Sequence, residues 1–137
     1  MWMREEVITA LYTALRALAT AEGLTIDDPG RRMAPDTAEF LRPAIPSMGG
    51  AWYRQVDEHG SGLFMIDIFV RPQASGNAYR MQEIADILSE EFDSSDHDLA
   101  GGNMCRLKEG VLTDFGKDPQ APEYFHGQIR WEFFIVP

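Results

Sequence analysis

One stretch of the sequence, residues 62–92, constrains the fold more than any other, because it joins a long apolar strand to an amphipathic helix. Residues 63–70 are aliphatic or aromatic apart from Asp67, a composition typical of a strand that is covered on much of both faces. Pro72 ends this strand, since proline has no N–H to donate to a ladder. Residues 81–92 then carry apolar side chains three and four positions apart, which predicts a helix packed back on the sheet.

The flanking segments predict a second helix and further strands. An apolar stripe at helical spacing predicts a helix over Met3–Glu22. In the alternating final strand, which starts near Gln128, Trp131 and Phe133 are predicted to be buried against the helices. Other strands are predicted at residues 39–47, 51–56, 104–107 and 111–115. The chain is therefore predicted to be a single domain, residues 1–137, of the α+β class. Its order is α-βββ-α-βββ, with two helices packed on one face of a mainly antiparallel sheet.

The charge balance and the apolar runs exclude several classes of protein. The 137 residues contain 12 basic and 22 acidic side chains, a net charge of -10. Such a surface repels phosphates, so a nucleic-acid reader is disfavoured, and the simplest role of the acid excess is solubility. No apolar run approaches the roughly 20 residues that span a bilayer, and no signal peptide is expected. One cysteine excludes an internal disulfide and a multi-cysteine metal site.

A polar segment after the second predicted helix contains residue types that bind hard metal ions. These are Asp93, Asp96, His97 and Asp98. Their spacing matches neither a calcium-binding loop nor a zinc motif. We therefore expect exposed loop acids here rather than a metal site.

No motif for nucleophilic catalysis is present. The histidines are His59, His97 and His126, and Cys105 lacks the sequence signature of a nucleophile. Asp67 is the most suggestive single acid, because it interrupts an apolar strand. A buried Asp can be catalytic, but pairing with an arginine, or a place at a subunit interface, is the favoured interpretation.

Aromatic residues beside turns suggest a surface for protein contacts. Trp52, Tyr53, Tyr124 and Phe125 lie next to predicted turns rather than in regular core positions, and Arg54 follows the first pair. Interfaces favour aromatic and arginine side chains, so these five residues are predicted to contact other subunits or partners. The alternative is that the aromatic rings cap the ends of the core.

The order of elements resembles that of the phage tail terminator-like proteins, which are minor tail components of siphophages and prophages. EFLRPAIPS (residues 39–47) is similar to the first strand of that family. HGSGLFMIDIFVRPQASGN (59–77) resembles its strand that ends in a turn before the central helix. That helix carries an Ala85-Asp86 pair before a terminal aromatic residue, and QIRWEFFIVP resembles the closing aromatic-rich strand. The resemblance covers residues 3–136.

This resemblance implies a structural role in the virion tail, with assembly in the cytoplasm of a bacterial host. Tail terminators form rings, usually hexamers, that end the polymerisation of the tail tube and offer a joining surface to the head. The implied partners are other copies of the chain, the tail tube protein and a head completion or connector protein. DNA would pass through without specific binding. No enzymatic activity, cofactor, metal or membrane is implied.

Two alternatives stay open at this point. The chain could be a small enzyme or ligand-binding α+β domain with a pocket between sheet and helices, for which Asp67 and His126 are the candidate residues. It could also be another head–tail connector or adaptor component that does not self-associate. The oligomeric state separates these alternatives from a ring.

Overall fold

The computed structural model describes residues 3–27, 38–45, 61–71, 79–119 and 123–136. Within them, two helices and six strands follow one another along the chain. They are α1 (Met3–Glu22), β1 (Glu39–Ala44), β2 (Ser61–Val70), α2 (Arg80–Phe92), β3 (Asp96–Asp98), β4 (Met104–Leu107), β5 (Val111–Lys117) and β6 (Phe125–Val136). No helix in these described ranges is both long and apolar enough to cross a membrane.

All six strands belong to one antiparallel sheet, with β6 at its centre. The order is β1-β2-β6-β4-β3, and β5 also pairs with β6. One edge of β6 pairs with the whole of β2, from Val70 opposite Phe125 to Ser61 opposite Phe134. The other edge pairs with β5 in its first half and with β4 in its second half. The predicted α+β class is confirmed.

The inner face of the sheet packs against both helices and forms the core. Phe64, Ile66 and Ile68 of β2 are fully buried, as alternation predicts for one face of a strand. Trp131 and Phe133 are 0% and 1% exposed, as predicted. They belong to the same buried cluster as Leu11 and Leu15 of α1 and Ile84 and Leu88 of α2.

The outer face of the sheet is less covered than the sequence suggested. Leu63, Met65 and Asp67 of β2 are only half-buried, so the strand is fully covered on one face rather than on much of both. The exception is a small cluster at one end of this face, where Phe40, Phe69 and Tyr124 are buried together. When helices cover only one side of an antiparallel sheet, side chains on the other face stay partly exposed to solvent.

Within the described residues, the strands differ from the prediction at residues 96–98. Residues 96–98, predicted as loop, form β3 and pair with β4; a charged edge strand of three residues has too little apolar alternation to be recognised. β2 lies between β1 and β6, which confirms its central place. Its predicted partner at residues 51–56 lies outside the described residues.

The end of α1 leads directly to the outer edge of β1. Gly23 has φ 70°, and the N–H of Leu24 donates to the carbonyl of Ala19, which ends the helix. The chain then runs beside β1, where Leu41 accepts from Asp27 and donates to Thr25. β1 is therefore at one end of the strand order, with part of its outer edge covered by residues 25–27.

Candidate functional site

The most polar arrangement on the outer face centres on Asp67. Its Oδ1 accepts hydrogen bonds from His126 Nε2 at 2.8 Å and from Gln128 Nε2 at 3.0 Å. The predicted arginine partner is wrong: Arg42 is opposite Asp67 on β1, but it pairs with Asp27 at 2.8 Å. Asp67 is satisfied by β6 instead, because the register places Gln128 directly across from it. The other predicted possibility, that Asp67 lies at a subunit interface, stays a prediction.

The His126 ring is held between aromatic side chains. It stacks on Phe69 at 4.6 Å and contacts Phe115 at 5.0 Å between ring centres. Because an ionised Asp67 can only accept, Nε2 of His126 carries the proton of their hydrogen bond. Among the described residues no hydroxyl or thiol forms a hydrogen bond with His126. The pair therefore lacks the nucleophile that a triad requires.

A second histidine forms a hydrogen bond with a serine, but the histidine donates in this bond, whereas a general base would accept the serine proton. His97 Nε2 lies 2.8 Å from Ser95 Oγ, and that hydroxyl donates to the carbonyl of Phe92 at 2.7 Å. The only proton of Ser95 is thus committed, so His97 donates to it rather than accepting from it. Burial is the main cause that lowers the pKa of His97. We interpret this pair as a structural support for the start of β3.

Three of the four candidate metal ligands, Asp93, Asp96 and His97, are held by different partners. Asp93 accepts from Trp131 Nε1 at 2.7 Å and from the N–H of Gly110 at 2.9 Å. Asp96 pairs with Arg106 at 2.7 Å, and the hydrogen bond from this guanidinium is the main cause that lowers the pKa of the carboxyl. In the described parts of the chain no three His, Cys, Asp or Glu side chains are grouped closely enough to hold a metal ion.

The predicted interface residues fall into two groups. Trp52, Tyr53 and Arg54 lie outside the described residues. Tyr124 is 6% exposed and packs edge-on against Phe40. Phe125 is half-buried at the start of β6. Tyr124 and Phe125 therefore lie near one another at one end of the sheet, and their contact with other subunits stays a prediction.

Sequence reasoning missed the most exposed apolar side chains of the sheet. Val111 and Phe115 of β5 are 62% and 53% exposed. Val111 is opposite Arg130 of β6, whose guanidinium makes no ion pair with another described residue. Val111 and Arg130 line a shallow notch of about 490 Å³, together with Leu63, Lys108, Glu109 and Glu132. We call Val111, Phe115 and Arg130 the β5 ridge. The alternation in β5 was visible, but it did not indicate that β5 pairs with β6 alone among the described strands.

A groove of about 470 Å³ lies between α1 and the edge strand β3. Small side chains of α1, including Thr13, Ala14 and Ala17, form one wall. Glu6, Asp96 and Asp98 contribute carboxylates and His97 an imidazole, and no lysine or arginine is among the residues that line it. We call this the α1–β3 groove. It is mainly apolar, with an acidic rim.

Comparisons with known proteins identify relatives in fold alone. No protein-family model matches the sequence, and no curated protein matches it. One solved structure, which carries no functional description, has a TM-score of 0.70 at 14% identity and covers 100% of this chain and 98% of its own. Another is a chain from the virion of a native gene transfer agent particle. It has a TM-score of 0.63 at 13% identity and covers 98% of this chain and 97% of its own.

Proposed function

We propose that this protein is a structural component of a phage-like particle, and more specifically that it caps the tail tube as a ring. The ring, of six copies, would end polymerisation of the tube and present the surface to which the head joins. The observation that supports this proposal is the fold shared with a chain of a gene transfer agent virion, over 98% of this chain and 97% of the other. The match spans both chains from end to end, so it is not limited to a common substructure.

The side chains of the described residues support a structural role over a catalytic one. Asp67, His126 and His97 are all engaged in hydrogen bonds that stabilise the sheet, and neither histidine is placed to accept a proton from a nucleophile. An enzyme of this size would be expected to combine a pocket with converging polar groups. The notch and the groove described above are instead shallow and open to solvent.

The charge of the chain suits a ring through which DNA passes. Each copy carries a net charge of -10, and like charges repel the phosphate backbone. The same charge opposes assembly. This repulsion weakens as the Debye length falls from about 10 Å at 0.1 M salt to about 3 Å at 1 M. We therefore expect the free subunit to assemble better at high salt and high concentration.

Size-exclusion chromatography with light scattering, over a range of protein and salt concentrations, tests the proposal. The expected result is a larger species, with the mass of six copies, that is favoured by salt. The same protein is then mixed with purified tail tubes and imaged by electron microscopy, where it should decorate tube ends only. A protein that stays monomeric throughout and leaves tube ends bare contradicts the proposal. A monomer that binds a connector protein but no second copy would instead indicate an adaptor.

A further inference from the structure

We infer that two copies of this protein pair through the edges of their β5 strands that face away from β6, in an antiparallel and symmetric contact. One sheet then runs through both copies. This contact is separate from the proposed ring, because an isologous contact uses the same patch on both copies and is complete when two copies have met. It holds free subunits as dimers and does not itself close a ring.

Among the described strands, β5 has the sheet edge best suited to accept another strand. It is seven residues long and pairs with β6 alone. In β1 the backbone of Leu41 already bonds to Thr25 and Asp27, and Pro43 has no N–H to offer. β3 is only three residues long and carries two aspartates. Short or charged edges disfavour strand addition, whereas an open edge beside exposed apolar side chains is a template for it.

The sequence around β5 is chemically self-complementary when it pairs antiparallel to itself about Thr113. Residues 108–118 read KEGVLTDFGKD. In this register Thr113 is opposite Thr113 of the second copy, and Val111 is opposite Phe115. Pairs of threonines, and of a β-branched with an aromatic residue, stabilise neighbouring antiparallel strands. The two exposed apolar side chains of the β5 ridge thus cover each other in the dimer.

The charges at both ends of the strand point to a second copy as the occupant of this edge. In the same register Glu109 is opposite Lys117 of the second copy, and Lys108 is opposite Asp118. Each of these opposite-charge pairs forms twice, because the contact is two-fold. Sliding the second copy by one residue in one direction places Lys108 opposite Lys117. Sliding it in the other direction places Glu109 opposite Asp118. Charge therefore favours this register over both neighbouring ones.

The one unlike pair in this register is Leu112 opposite Asp114. Asp114 Oδ1 already accepts from the N–H of Gly116 at 2.8 Å, so its carboxylate needs no partner from the second copy. A bulge lies at the same place, between Asp114 and Gly116, and a bulge increases the local twist of a strand. The backbone pairing is therefore centred on residues 112–114, and the flanking charges meet through their long side chains.

The first experiment exchanges the flanking charges and measures the dimer by sedimentation equilibrium. Lys117→Glu and Glu109→Lys should each weaken the dimer at least about tenfold, because each places two pairs of like charges opposite one another. The two variants mixed in equal amounts should form a heterodimer about as stable as the parent dimer, since every flanking pair then has opposite charges.

Arg16→Glu and Glu90→Lys are the matched controls. They make the same charge changes at exposed positions of α1 and α2, so they should dimerise like the parent. Circular dichroism checks that each variant is folded. If the mixed variants associate no better than either one alone, the inference is overturned.

The second experiment tests the register by oxidative cross-linking of single cysteines. The parent gives the background, because Cys105 is fully buried. Thr113→Cys should form disulfide-linked dimers, since directly opposed Cβ atoms are about 4.5–5.5 Å apart. Val111→Cys should cross-link when it is mixed with Phe115→Cys but not alone, because four residues of strand separate the two copies of residue 111 by about 14 Å. Cross-linking of Val111→Cys alone that is faster than that of Thr113→Cys would overturn the inference.

The outcomes separate the β5 dimer from the proposed function. Dimers that leave tail tubes uncapped contradict the proposed function and leave the inference standing. A parent that never dimerises, or that passes from monomer to ring without cross-links at Thr113→Cys, overturns the inference whether or not its rings cap tail tubes.

Discussion

The hydrogen bonds of Asp93 provide the sharpest test of how this fold is held together. Asp93 follows α2, and its Oδ1 accepts from the indole of Trp131 in β6 and from the N–H of Gly110 just before β5. One carboxylate oxygen thus joins the end of a helix, the central strand and the turn into β5. We predict that Asp93→Ala destabilises the protein, although the alanine removes no buried apolar group.

The magnitude follows from the burial of Trp131, which is 0% exposed. Without Asp93 the indole N–H has no acceptor in the core, and an unsatisfied buried donor costs about 1–3 kcal/mol. Loss of the bond from Gly110 adds about 1 kcal/mol, since that site is half-buried. The expected total is about 2–4 kcal/mol. For a domain of this size that lowers Tm by about 6–12 °C.

Urea unfolding followed by tryptophan fluorescence measures this loss, and Asp93→Asn is the matched control. Asparagine keeps an acceptor oxygen at nearly the same place, so it should lose under about 1 kcal/mol. The prediction is refuted if the free energy of unfolding of Asp93→Ala lies within about 0.5 kcal/mol of the parent's, or if Asp93→Asn is as unstable as Asp93→Ala. In either case the two hydrogen bonds do not contribute the stability estimated here.

Three further predictions concern the core and its titrating groups. Gly110→Ala should destabilise by about 1–3 kcal/mol in the same assay, because its Cβ would lie 2.5 Å from the rigid indole of Trp131. Gly127→Ala should cost less, since the atom it meets belongs to a flexible methionine. His97 has a lowered pKa in the fold, so the unfolded chain binds the proton first as pH falls below about 6.5, and stability should fall there. His97→Gln should flatten that slope, and an unchanged slope would refute the assignment. Burial raises the pKa of Cys105 to about 12, so a disulfide reagent at pH 8 should label it only after unfolding.

The burial of the side chains on the inner face could be predicted from the sequence, because the pattern of apolar residues that indicates it is local. Alternation in β2 and β6 and the helical spacing of α1 and α2 each act within one element, and the burial of Trp131 followed from them. The apolar face of a strand or helix is the one that is buried, and the spacing of apolar residues within that element is enough to identify the face.

The side-chain hydrogen bonds of Asp67 and Asp93 could not be predicted in this way, since they join distant parts of the chain. Asp67 and His126 are 59 residues apart, and Asp93 and Trp131 are 38 apart. Such pairs depend on strand register, which no local pattern contains. The exposure of Val111 depends on the same topology, because β5 pairs with no described strand other than β6.

The central place of β6 has a consequence for how the chain folds during synthesis. β2 is made early, yet its long pairing is with a strand that follows much later, and Asp67 must wait for Gln128, 61 residues on. At a translation rate of about 5–20 residues per second, that interval is about 3–12 s. During it the most apolar strand of the nascent chain has an open edge, which is a site for aggregation. We therefore expect this protein to depend on chaperones that bind nascent chains, and its yield to fall when they are depleted.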